Sequence, residues 1–147
     1  MNERGHDAAL LVLRIALGVV FIAHGGQKLF GLFGGTGLHG FTPMIEKMGM
    51  PPIVATLVAI GELFGGLGLL AGLLTRLAAI GPLLSMAGAI VLVHGKNGFF
   101  LPTGFEYALT LLLVDVAVLF AGPGRYSLDA LLHRSRHEVP VARPLHA

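Results

Sequence analysis

The sequence predicts an all-α integral membrane protein: an antiparallel four-helix transmembrane bundle with a short surface helix after span four. Three observations carry this. Of the 147 residues, 54% are apolar and only 12% charged, roughly half the charge of a soluble domain. Four long apolar runs, at about 8–30, 53–74, 77–93 and 105–121, show no alternation of apolar and polar residues, so they read as helices rather than strands. The 22 glycines have no three-residue period and fall in stripes along these runs.

The first run follows MNERGHD, which mixes acids with Arg4, and no small-residue cleavage site comes after it. It is expected to be a retained span rather than a signal peptide. The connection 32–52 holds Thr42 and Pro43, residues suited to an N-cap and a first helical position. A one- or two-turn helix over 44–48 is expected, ended by Gly49 and Pro51. Thr75-Arg76 makes a tight hairpin between spans two and three. Thr103 and Glu106 have capping-box spacing before span four, which is short of the ~20 residues that a ~30 Å hydrocarbon core requires. Ser127-Leu128-Asp129 starts a surface helix over 128–133. Residues 1–133 thus form one transmembrane domain, and 134–147 a polar, disordered tail.

Orientation follows from basic residues. Arg4, Arg14, Arg76, Arg125, Arg134, Arg136 and Arg143 fall on one side; Lys28, Lys47 and Lys96 fall on the other. This bias places both termini in the cytoplasm. Gly61, Gly65, Gly68 and Gly72 line one stripe of span two, and Gly81, Ser85 and Gly88 line one of span three. Such stripes let helix backbones approach closely in lipid. Gly65 is therefore expected at a helix contact, and Gly37, in a loop, at a position that tolerates bulk.

Ionisable residues inside a span are costly, and they are paired or functional. Helical rise puts His24 ~9 Å and Glu62 ~13 Å below the outer boundary, with Asp115 at a similar depth. Lys28 lies near that boundary, and His94 ends span three. His24, Gln27, Lys28, Glu62, His94 and Asp115 are the candidate ligand-binding residues, with Glu62 and His24 the candidates for chemistry. Each also has a structural reading. Lys28 can snorkel, His94 can simply end a helix, Arg14 can anchor span one at the interface, and the acids can be glue between helices. Glu62 is expected to point inward and bond a span-one side chain, His24 first among them. No pair of ligand types has helical metal-site spacing, so no metal is expected. With no Cys, disulfides and thiol chemistry are excluded from this chain. No basic face suggests nucleic acid.

The stretches RIALGVVFIAHGGQKLFG, GELFGGLGLLAGLLTRLAA and GPGRYSLD, in this order, resemble the DoxX family of small bacterial membrane proteins. The resemblance covers about residues 14–129. It implies a four-helix inner-membrane protein with Arg14, His24, Lys28, Glu62 and Arg76 as signature residues. Some members look like subunits of quinone-linked redox systems; other branches look like assembly or cargo factors.

Three functions follow as expectations. One is a membrane redox subunit, an oxidoreductase component, that binds a quinone: His24 or Lys28 bonds a carbonyl oxygen and Glu62 relays a proton. Its partners are the lipid bilayer, a soluble or membrane redox protein that supplies any thiols, and further copies of the chain. The second is a non-catalytic assembly partner. The third is a small transporter or proton path through Glu62 and Asp115.

Overall fold

The computed structural model describes residues 3–137. Six α-helices follow in order: α1 (Glu3–Phe30), α2 (Gly37–Lys47), α3 (Ile53–Ala71), α4 (Thr75–Gly88), α5 (Glu106–Ala121) and α6 (Leu128–His137). A π-helical turn, Ala89–His94, and a 3-10 turn, Gly95–Asn97, continue α4 without a break. Among the described residues there is no strand. Three helical segments are long and apolar enough to cross a membrane: Glu3–Phe30, Ile53–Ala71 and Thr75–Asn97. The 16 residues of α5 reach only ~24 Å at 1.5 Å per residue.

The protein is a membrane protein whose apolar surface faces outward. Val12, Val19, Phe64, Leu77, Leu113 and Phe120 are all exposed, as lipid contact demands. Inside, α1 packs on α3, α3 on α4, and α4 on α5, which returns to α1. Leu17, Phe21, Leu69, Ala79, Leu111 and Val118 form the shared core.

Glycines make these contacts possible. A Cβ on Gly65 would lie 2.5 Å from Pro82 Cδ and 2.6 Å from the Ala78 carbonyl. Gly61 and Gly81 meet backbone to backbone, as the stripes predict. A second contact was not foreseen: on α1, Gly18 and Gly25 press on Leu70 and Leu63 of α3. Gly37 is not the tolerant position expected, because its φ of +62° disfavours any side chain.

One end of the bundle is stitched together. Arg14 is not an interfacial anchor. It is 1% exposed and donates to the carbonyls of Leu69 (3.1 Å), Tyr126 (2.9 Å) and Pro123. It thereby ties the end of α3 to the segment after α5. Gly72, which closes α3 at φ +66°, has its Cβ position 2.7 Å from the Arg14 guanidinium. Asp7 accepts from the Arg125 amide at 2.9 Å. Asp129, in the first turn of α6, caps α4 instead of its own helix. It accepts from the amides of Leu74 (2.8 Å) and Thr75 (2.9 Å) and from the Thr75 hydroxyl.

Three local expectations are corrected. α2 starts at Gly37, five residues before the predicted cap Thr42, and carries Pro43 inside it. Its apolar stripe Leu38, Phe41, Ile45 and Met48 packs on Val54, Ala55 and Val58. That tertiary burial outweighs one backbone hydrogen bond lost at proline. The Thr103–Glu106 capping box does not form: Glu106 accepts from the Leu101 amide at 2.8 Å, bracing the loop before α5. The last helix runs to His137, so the first residues of the supposed tail are helical. Residues 138–147 lie outside the described residues.

Candidate functional site

At the end of the bundle opposite the Arg14 stitch, the helices spread around a cavity of ≈ 670 Å³. Its walls come from α1, α2, α3, α4 with the turns that extend it, and α5. The π turn widens this end: the Gly95 amide reaches back five residues to the Ile90 carbonyl, and Ala89, Leu92, Val93 and His94 face the space. Such turns recur at functional sites because they redirect side chains without ending the helix. Met44, Met48, Met50 and Met86 also line it. Thioether side chains fill irregular space and adapt to a guest.

The polar groups are gathered on one wall. Glu62 is fully buried, and its Oε1 accepts from both Lys28 Nζ and Ser85 Oγ. The Lys28 side chain is 24% exposed and Glu62 0%. A guest therefore meets the ammonium and the Ser85 hydroxyl, with the carboxylate behind them. Lys28 also lies 5.5 Å from the centre of the Phe41 ring, a cation–π contact that fixes it on the α2 side. Its four-carbon stem explains how a residue near the helix end reaches so deep.

His24 does not bond Glu62, contrary to expectation. It lines the cavity and is exposed to it. His94 also lines the cavity, and its Nδ1 lies 3.0 Å from the Thr103 carbonyl. A carbonyl only accepts, so Nδ1 carries the hydrogen, and in the neutral ring Nε2 is left as an acceptor.

Two candidates fall elsewhere. Gln27 donates to the Phe33 carbonyl at 3.3 Å and holds the turn after α1. Asp115 is buried in the core behind the cavity. Ser85 was legible only as a member of a small-residue stripe. The methionines were missed, although three of them fall within the seven residues 44–50, a density worth marking in any membrane-protein loop.

A family model described as DoxX matches residues 9–95. The chain belongs to the DoxX family. The match takes in His24, Lys28, Glu62, Ser85 and His94, and ends before α5. The chain is 29% identical over 134 residues to "Putative oxidoreductase CatD" of Bacillus subtilis (strain 168), covering 91% of this chain and 94% of that protein. It is 32% identical over 137 residues to "Inner membrane protein YqjF" of Escherichia coli (strain K12), covering 87% of this chain and 95% of the relative. No solved structure matches.

Proposed function

We propose that this DoxX protein is the membrane component of a quinone-linked redox system and that it binds a quinone in the methionine-lined cavity. The observation that carries this is the Lys28–Glu62–Ser85 cluster, set in the wall of an otherwise apolar space at one end of a membrane bundle. A quinone is a lipophilic ring with carbonyl acceptors. Lys28 supplies a donor to one carbonyl, and His24 offers a second. Glu62 holds Lys28 in place and is the nearest buried proton acceptor. The oxidoreductase name of the Bacillus relative supports the reading. With no thiol in this chain, the electrons come from a partner protein.

In this reading α5 is the fourth span, short because the loop before it and α6 after it sit within the interfacial layers. Both termini are cytoplasmic, and the cavity opens in the outer half of the membrane.

The test is equilibrium binding of decylubiquinone to the purified protein in lipid nanodiscs. Gly88 lines the cavity, and a Cβ there meets nothing within 4 Å. Gly88→Phe therefore adds bulk at the cavity wall with no clash at Cβ. Saturable binding is expected, weakened about tenfold or more by Gly88→Phe and by Glu62→Gln, the equivalent of ~1.4 kcal/mol. The amide of Glu62→Gln still accepts from Ser85 and Lys28, so the fold survives. Absence of saturable binding, or affinity unchanged in both variants, would refute the reading; an assembly role alone predicts that Glu62→Gln is silent.

A further inference from the structure

Asp115 is the buried acid that the quinone reading leaves unused, and it lies beyond the stretch that the family model matches. It sits at the middle of α5, 0% exposed. Neither of its carboxyl oxygens has a hydrogen-bond partner among the described residues. One turn earlier on the same face, Leu111 lines the cavity. One turn later, Val118 joins the core with Ala79 and Phe21. Four residues of helix span ~6 Å, so Asp115 stands about one turn behind the cavity floor.

The packed elements bring it no counter-charge. On α1, Arg14 is committed to three backbone carbonyls and Lys28 to Glu62. On α4, Arg76 reaches the Phe120 carbonyl at the far end. On α3, Glu62 keeps one oxygen, Oε2, buried and without a partner. Ionised, Asp115 would be a bare carboxylate in an apolar interior, which is the costliest state open to it. Neutral, it is a carboxylic acid with a removable proton.

We propose that Asp115 is a proton-binding site: it carries a proton at neutral pH and exchanges it with the cavity one turn away. The exchange moves one proton: the O–H bond breaks at Asp115 and forms on a water molecule admitted from the cavity, and the return step restores the neutral acid. This inference concerns the cavity as a route for protons and does not depend on what else occupies it.

Infrared spectroscopy of the full chain in nanodiscs, with no quinone added, tests it. The expected result is a carbonyl stretch of a protonated carboxylic acid at neutral pH. It is absent in Asp115→Asn and retained in Glu62→Gln. Aspartate labelled with carbon-13 at the carboxyl should shift the same band, and Asp7→Asn and Asp129→Asn should leave it in place, which assigns it to Asp115 even if Asp115→Asn does not fold. On transfer to heavy water the band should move quickly in the wild type and severalfold more slowly in Gly88→Phe. No aspartate band at neutral pH, or equal exchange rates in wild type and Gly88→Phe, would overturn the proposal. A protein that fails to bind decylubiquinone yet shows this band and this slowing refutes the quinone reading and supports the proton site.

Discussion

Arg14→Met tests whether the stitched end carries the stability of the bundle. The guanidinium satisfies the carbonyls of Leu69, Pro123 and Tyr126, and the residue is 1% exposed. Methionine fills much of the volume and removes every donor. A buried acceptor left without its partner costs ~1–3 kcal/mol, which sums to ~3–9 for three. Two reductions apply. The arginine no longer pays for desolvating its charge, and water reaches the Pro123 and Tyr126 carbonyls, whose bonds are only partly buried. The expected net loss is ~3 kcal/mol, or roughly 10 °C in midpoint for a chain of this length. Arg14→Lys should lose about half as much, because a single ammonium does not span three carbonyls. The assay is thermal unfolding in mild detergent, followed by circular dichroism. Gly72→Ala pushes a methyl to within 2.7 Å of the guanidinium and should cost stability non-additively with Arg14→Met. An Arg14→Met midpoint within ~2 °C of wild type would refute the reasoning, and Arg14 would then be no more than an interfacial charge.

Other outcomes follow from the same geometry. Gly65→Ala should destabilise by ~1–3 kcal/mol by forcing α3 from α4, whereas Gly88→Ala, facing open space, should be neutral or slightly stabilising in the same melt. Burial tends to raise the Asp129 carboxyl, but the Thr75 and Leu74 amides, the Thr75 hydroxyl and the Arg14 charge hold it below 3.8. The cap on α4 is therefore at full strength above that value and fades as pH falls through the lower folded value; Asp129→Asn should flatten this acid limb in melts run below about pH 4. An alkaline phosphatase fused after His137 should be inactive, and one inserted in the loop near Gly98 active; the reverse pattern would invert the orientation, and activity at both sites would remove α5 as a span.

The helices were legible because apolar runs report burial or lipid directly, and α1, α3 and α5 end within a few residues of where the runs end. Depth along a helix was legible too: Glu62 and Lys28 were both placed in the same half of the bundle. What rise per residue does not give is reach. His24 was preferred over Lys28 because its Cα lies closer in depth to Glu62, but a lysine stem is long enough to fold back along the wall, and a histidine ring is not. Arg14 reads as an interfacial anchor for a different reason. Its partners are backbone carbonyls of residues 55 to 112 positions away, which carry no sequence signature. Pro43 was taken as a start signal because local chemistry is visible, whereas the groove that buries Phe41 and Ile45 exists only once α3 is in place.

The two ends of the bundle do different work, and the difference lies in where their polar groups are spent. At the Arg14 end, buried side chains are used up on backbone atoms: Asp7 on Arg125, Asp129 on Leu74 and Thr75, Ser127 on Gly124 and Ala130. Every such bond joins segments distant in sequence or closes a turn. At the other end, Lys28, Glu62 and Ser85 bond one another, and His24 and His94 face empty volume. The walls there include four methionines and a π turn, which adapt to a guest and redirect side chains. A bundle fixed at one end can open at the other without unfolding, because the fixed end holds α1, α3, α4 and the segment after α5 in register. In the quinone reading, entry requires that α2 yield, and α2 is held to α3 by the apolar contacts of Phe41 and Ile45 with Val54, Ala55 and Val58, which a lipophilic guest can replace.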